Sequence, residues 1–178
     1  MPTLIDRSGA RPDVWAVLAD DTPLSAAPAA PAAVIVSPAR WESDAAGLRA
    51  EARPLGIALA PDDDPDRIAD ALPALALVTV FFPTFTDGRG YSIARLLRER
   101  HGWRGELRAI GDIQRDQLFY LARCGFDSFL LKDGESVERA LSGFRDFREA
   151  YQSAVDRGPL FLRRATSPAQ VAAGRSPG

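Results

Sequence analysis

The segment LALVTVFFPTFTDGRGYSIARLLRER, residues Leu75–Arg100, decides the fold. Its first part, Leu75–Phe82, is an apolar run without polar alternation, which is typical of a strand buried on both faces of a sheet. Pro83 ends this run, and a polar loop, residues 84–90, follows it. Tyr91–Arg100 then carries apolar residues at three- and four-residue spacing, which predicts a helix with one buried stripe. The segment is therefore one strand–loop–helix unit.

The same unit repeats along the chain. Each of five short apolar runs is followed by polar turn residues and a helix-compatible segment: Ala33–Val36, Leu55–Leu59, Leu75–Phe82, Leu107–Ile110 and Ser128–Leu131. Gly102 and Gly125 lie where left-handed C-terminal caps end two of the predicted helices. This alternation predicts an α/β domain with a mostly parallel sheet of about five strands and covering helices. A Rossmann-like or flavodoxin-like three-layer sheet is the first interpretation, and a partial β/α barrel is the alternative.

Length and composition favour one globular domain. The chain has 178 residues, of which 46% are hydrophobic and 26% are charged, enough to bury a core. We assign the domain to residues 34–155. Residues 1–33 read as an N-terminal arm with a Pro/Ala-rich linker, in which Trp15 and Val17 pack back as a short strand or hairpin arm. Residues 156–178 read as a flexible tail.

Charge and rare residues exclude several functional classes. With 22 basic and 24 acidic residues the net charge is −2, which gives no reason to expect nucleic acid or an anionic membrane as a partner. Single Cys and His residues, Cys124 and His101, exclude an internal disulfide and a Cys/His zinc site. No signal-peptide core or run of about 18 apolar residues is present, so we expect a cytoplasmic protein. We predict no metal and no cofactor.

Polar residues follow the last three predicted strands. In a mostly parallel sheet with right-handed crossovers, all strand-to-helix loops lie at one edge, where ligands bind in such folds. Arginine and lysine there suit sulfate, sulfite, phosphate or carboxylate, and glycines permit positive φ and close backbone approach. We predict an anion-binding or recognition surface there. Its candidate residues are Thr86, Gly88, Arg89, Gly90, Tyr91, Ser92, Arg115 and Lys132, with Asp87 and Asp112 as weak acid/base candidates.

Two other interpretations of these loops compete with a binding site. Asp87–Gly88 is an ordinary turn dipeptide, and Asp112 suits a helix cap, so each residue also has a purely structural explanation. The pattern Gly88-Arg-Gly90-Tyr-Ser-Ile93 imitates a dinucleotide-binding motif, but Ile93 stands where the third glycine belongs. We therefore predict no nicotinamide or flavin site.

Two blocks of sequence, FFPTFTDGRGYSIARLLRER (81–100) and GELRAIGDIQRDQLFYLARCGFDSF (105–129), resemble a bacterial family, domain of unknown function family 934. The resemblance extends more weakly through residues 39–41 and 54–65 and covers about residues 34–151. It implies a part in sulfur assimilation, because members are often labelled as oxidoreductases and are commonly encoded beside the assimilatory sulfite reductase haemoprotein. The family supplies no established catalytic residues.

Two functions remain open at this stage. The first is an accessory or partner protein in assimilatory sulfate/sulfite reduction, which binds sulfite reductase or its electron-supply components through the loop surface. The alternative is a small enzyme or oxidoreductase that acts on a sulfur oxyanion or a phosphorylated ligand. In that alternative Arg89 and Arg115 bind the anion, and Asp87 or Asp112 serves as the acid or base.

Overall fold

The computed structural model describes residues 2–24, 33–50 and 53–144. These residues form an eight-stranded sheet and four α-helices. The strands are β1 (Thr3–Asp6), β2 (Gly9–Arg11), β3 (Trp15–Val17), β4 (Ala33–Val36), β5 (Leu55–Leu59), β6 (Leu77–Phe82), β7 (Glu106–Gly111) and β8 (Ser128–Leu131). The helices are α1 (Pro38–Ala50), α2 (Arg89–Arg95), α3 (Leu118–Arg123) and α4 (Val137–Gly143).

Shorter helical turns complete the described elements. A π-helical turn, Leu96–Arg100, continues α2, and 3-10 turns occur at Pro65–Ile68, Leu72–Ala74 and Arg115–Gln117. Most of the predicted linker, residues 25–32, lies outside the described residues. So do residues 145–155 and the predicted tail, residues 156–178.

The strand order is β2-β1-β8-β7-β6-β5-β4-β3. Strands β3 to β8 are parallel and follow one another in chain order, whereas β1 is antiparallel to both β8 and β2. The parallel order never reverses, so the sheet has no switch point of the kind that defines doubly wound folds. The sheet is strongly curled into a half-barrel. Of the two architectures that the sequence left open, the partial β/α barrel fits.

The prediction of about five strands was wrong in number. All five predicted strands are present, as β4 to β8, and the three additional strands come from the N-terminal arm. Trp15–Val17 pairs in parallel with β4, which confirms that this part of the arm packs back as a short strand. The stretch Gly9–Arg11 has no apolar run, because it is held by its ladder with β1 and not by intrinsic strand preference.

The two faces of the sheet differ in chemistry. Val78 and Val80 of β6 belong to one apolar core together with Ile93 of α2. On the opposite face, here called the inner face, Thr79, Arg108 and their register partners lie side by side across β5 to β8. The helices therefore cover one face, and the inner face carries polar groups.

The N-terminal arm covers the inner face near the start of the parallel strands. Arg108 is almost completely buried there, and its guanidinium donates to the carboxylates of Glu106 (3.0 Å) and Asp13 (2.9 Å). Arg11 reaches the second oxygen of Glu106 at 2.8 Å. A Cβ on Gly56 would lie 3.1 Å from the Trp15 ring. The segment that connects β2 to β3 thus closes this end of the sheet, and the carboxyl ends of the strands carry the loops with the candidate residues.

Both predicted helix caps are confirmed. Gly102 has φ +62° and Gly125 has φ +106°, which are conformations that favour glycine. No helix in the described ranges is both long and apolar enough to cross a membrane.

Candidate functional site

The loops that follow β6, β7 and β8 meet at one edge of the sheet. Asp112, just after β7, accepts a hydrogen bond from the backbone N–H of Phe85 (3.2 Å) with one oxygen. Its other oxygen accepts from Nζ of Lys132 (2.6 Å), which follows β8. Since β6, β7 and β8 are adjacent parallel strands, this contact confirms the expectation that their loops are neighbours. We call Phe85, Asp112, Gln117 and Lys132 the carboxyl-edge cluster.

Gln117 ties the same loops together from the other side. Its side-chain amide donates to the backbone oxygen of Phe85 (2.7 Å) and to the hydroxyl of Tyr91 (3.2 Å). Its side-chain oxygen accepts from the backbone N–H of Gln114 (2.9 Å), which forms a capping box at the turn that precedes α3. Phe85 is therefore held through both its N–H and its C=O, while its residue surface is 49% exposed.

A polar cavity of about 370 Å³ lies between the loops after β7 and β8. Arg115 and Lys132, two of the predicted anion ligands, both line it. Its charged lining residues are Asp112, Arg115, Asp116, Lys132, Glu135 and Arg139. Equal numbers of basic and acidic groups make this a site of mixed charge, in which Lys132 is already paired with Asp112.

Arg89 lies with different partners. Its guanidinium donates to Asp87 (2.6 Å) and also pairs with Asp62, in the loop after β5. Hydrogen bonds from Arg89 lower the pKa of the Asp87 carboxyl, and Asp87 in turn raises the pKa of Arg89. Nε of Arg115 donates instead to the backbone oxygen of Arg139 (2.9 Å) in α4. The two arginines that the sequence grouped around one anion are thus directed to different elements.

Gly88 and Gly90 have negative or extended backbone angles, because the positive φ values in the described chain fall on other glycines. Gly88 has φ −86° and open space around it. A Cβ on Gly90 would lie 2.4 Å from the ring of Phe82, which is fully buried. Close packing of α2 on β6 explains Gly90, and the expected use of positive φ does not occur at either position.

The remaining predicted residues have modest surroundings. The hydroxyl of Thr86 lies 3.2 Å from that of Thr84, and Ser92 is exposed on α2. Tyr91 is half-buried, with its ring centroid 5.4 Å from Phe82 and 5.0 Å from Tyr120. Burial raises the pKa of Tyr91 to about 12, so this phenol stays protonated at neutral pH and connects the core to the loop surface. Asp112 has a lowered pKa because of its hydrogen bond from Lys132 and is an anion at neutral pH.

Phe85 and Gln117 are the functional candidates that sequence reasoning missed. A lone phenylalanine between two threonines, in a loop that is otherwise polar, was the available signal for Phe85. The three-residue spacing of Gln114 and Gln117 was the signal for a capping box. Within the described residues, no group of three or more His, Cys, Asp or Glu side chains suits a metal ion.

Comparison with known proteins gives one match. The model of a family described as "Bacterial protein of unknown function (DUF934)" matches residues 56–161, a range that includes every loop of the carboxyl-edge cluster. No curated protein matches the chain.

Proposed function

Because the chain belongs to the DUF934 family of bacterial proteins, we propose that it is an accessory protein of assimilatory sulfate/sulfite reduction that binds a protein partner through the carboxyl-edge cluster. The process is inferred from the family resemblance, which implies a place beside sulfite reductase. The binding role is inferred from the geometry of the cluster.

The presentation of Phe85 is the observation that carries this proposal. An exposed aromatic ring normally loses freedom when it enters an interface, and that loss opposes binding. Here the backbone of Phe85 is already held by Asp112 and Gln117, from the neighbouring loop. Aromatic residues on such prepared positions are frequent anchors of protein interfaces. Phe85 therefore serves as the apolar anchor for a partner.

The cavity beside the anchor supplies the polar part of the same surface. Lys132 and Arg115 line it with Asp112 and Glu135, so cations and carboxylates alternate over a short distance. Interfaces commonly combine a small apolar centre with a polar rim that fixes orientation. A partner surface with matching charges would dock in one orientation only.

A second candidate function has its own supporting observation. The cavity of about 370 Å³ falls in the size range of small-ligand sites and lies at the carboxyl ends of the strands, where β/α barrels bind substrates. A sulfur oxyanion or a phosphorylated ligand would compete with Asp112 for the ammonium group of Lys132. This is the small-enzyme or anion-binding alternative.

The test measures binding of the chain to the sulfite reductase haemoprotein, and separately to its electron-supply component, from the same bacterium. We expect Phe85→Ala to weaken binding about tenfold or more, since an interface anchor contributes over 1.4 kcal/mol. Val14→Ala is the matched control, because Val14 is similarly exposed, at 47%, on the connection between β2 and β3.

The outcomes separate the two candidates. Equal affinity of wild type and Phe85→Ala would remove the proposed surface, and failure to bind either component would remove the proposed partner. A sulfite-dependent rise in melting temperature that Lys132→Ala abolishes would favour the small-anion alternative, because a ligand that binds the native state stabilises it.

A further inference from the structure

A second and larger cleft, of about 520 Å³, lies at the opposite edge of the sheet. It is bounded by the turn between β1 and β2, by the π-helical turn, and by the residues that lead from α3 into β8. Its volume is in the range of small-molecule sites. None of the residues of the carboxyl-edge cluster lines it.

Arg98 forms the floor of this amino-edge cleft. It lies in the π-helical turn Leu96–Arg100, in which the N–H of His101 bonds to the C=O of Leu96. Such i→i+5 turns are rare and often occur at functional sites. The guanidinium of Arg98 is buried and donates to backbone oxygens of Trp103 (2.9 Å) and Gly125 (3.0 Å). Arg98 is therefore a rigid cationic element at the base of the cleft.

The two carboxylates of the cleft are engaged by the protein itself. Asp127 accepts from Arg98 (2.5 Å) and from the backbone N–H of Leu107 (2.9 Å). Asp6 accepts from both the hydroxyl and the backbone N–H of Ser8. These hydrogen bonds occupy the acids, while two further arginines, Arg7 and Arg104, line the exposed part of the cleft. Three arginines against two aspartates leave an excess of positive charge.

An apolar wall accompanies this charge. Phe126 and Ala122 line the cleft and belong to the hydrophobic core, so their positions are fixed by packing. Guanidinium groups bind phosphate, sulfonate and carboxylate through paired N–H donors. The cleft thus offers cationic groups at its rim and a firm apolar surface inside.

We propose that the amino-edge cleft binds a small molecule that carries an oxyanion group and an apolar portion. Arg104 and Arg7 contact the oxyanion, and the wall at Phe126 contacts the apolar portion. This site is separate from the carboxyl-edge cluster, so it gives the protein a second binding function and does not depend on the proposed partner.

Phenyl phosphate is the probe, titrated at millimolar concentration into the full chain and followed by NMR shifts and calorimetry. We expect saturable binding that weakens about fivefold in Arg104→Ala and in Arg7→Ala, as a lost charge-assisted hydrogen bond at a partly exposed site implies. Arg95→Ala is the control, because Arg95 is an exposed arginine on α2 that pairs with Glu99. Phe85→Ala should also leave probe binding unchanged.

Three results would overturn the proposal. The first is the absence of saturable binding by wild type, and the second is the same affinity in wild type, Arg104→Ala and Arg7→Ala. The third is inorganic phosphate that binds as tightly as phenyl phosphate, since the apolar wall then contributes nothing. Urea unfolding of each variant establishes that it is folded before its affinity is compared.

Discussion

The carboxylate of Asp112 lies 2.6 Å from Nζ of Lys132, across the loops that follow two adjacent parallel strands. The same carboxylate accepts from the backbone N–H of Phe85 in a third loop. One side chain therefore connects three strand-to-helix loops, and Lys132 lowers its pKa so that it remains an anion at neutral pH.

Asp112→Ala should loosen the loop that presents Phe85. Without its acceptor, the amide of Phe85 should exchange with solvent about tenfold faster, because local opening costs less free energy. Amide hydrogen exchange followed by NMR measures this change. Asp116→Ala is the control, because Asp116 is exposed in the neighbouring turn; equal acceleration in the two variants would contradict the role given to Asp112.

Gly90→Ala should destabilise the protein by about 1–3 kcal/mol, as overpacking of a well-filled core does. The new Cβ would lie 2.4 Å from the ring of the fully buried Phe82. Gly88→Ala is the matched control, because its Cβ would meet nothing within 4 Å and its φ is −86°. Its free energy of unfolding should change by no more than about 0.5 kcal/mol. Urea unfolding of the pair checks the prediction, which fails if both variants unfold alike.

Glu106→Gln should lower the free energy of unfolding by about 2 kcal/mol at neutral pH, since it weakens a half-buried ion-pair network. Burial alone would raise the pKa of Glu106, but hydrogen bonds from Ser128 and Arg108 and the charge of Arg11 outweigh it, and the pKa is lowered below 4.5. A lowered carboxyl pKa stabilises the native state above the unfolded pKa, and this stabilisation is lost as the pH falls through the folded value.

Wild type should therefore lose stability more steeply than Glu106→Gln as the pH falls below about 4.5, the ordinary value for glutamate. Unfolding in urea over a series of pH values measures both slopes. Glu99→Gln is the control, because Glu99 is half-exposed and pairs only with Arg95 in the described structure; we expect a change of about 0.5 kcal/mol or less. Parallel acid slopes in wild type and Glu106→Gln would contradict the prediction.

Tyr91 should ionise near pH 12, because burial disfavours its phenolate. An alkaline titration of the ultraviolet absorbance should show a phenolate step in that range, and Tyr91→Phe should remove it. The other tyrosines serve as internal references in the same experiment. A titration curve in Tyr91→Phe that keeps the step would assign it to another residue.

Periodicity was sufficient for the central strands and insufficient for the arm. Each of β4 to β8 has several consecutive apolar residues, so burial on both faces is visible in the sequence. By contrast, Gly9–Arg11 becomes a strand only because Leu4–Asp6 offers a free edge. Pairing of this kind depends on long-range register and leaves no local pattern.

The candidate site divides in the same way. Topology alone places the loops of Asp112 and Lys132 at one edge, so their neighbourhood was predictable. The partner of Arg89 was not, because Asp62 comes from the loop after β5 and side-chain choice among nearby acids depends on the final packing. The importance of Phe85 likewise became visible only through its two clamping hydrogen bonds.

The antiparallel pairing of β1 with β8, which sets Thr3 opposite Leu131, has a consequence for synthesis on the ribosome. The hairpin of β1 and β2 is translated long before its partner strand emerges, so the nascent chain carries an unpaired strand edge for most of its elongation. Such edges invite aggregation, and contacts between distant parts of a chain form slowly. Completion of the sheet therefore waits for translation to pass β8, and a chaperone that shields the emerging hairpin would raise the yield of folded protein.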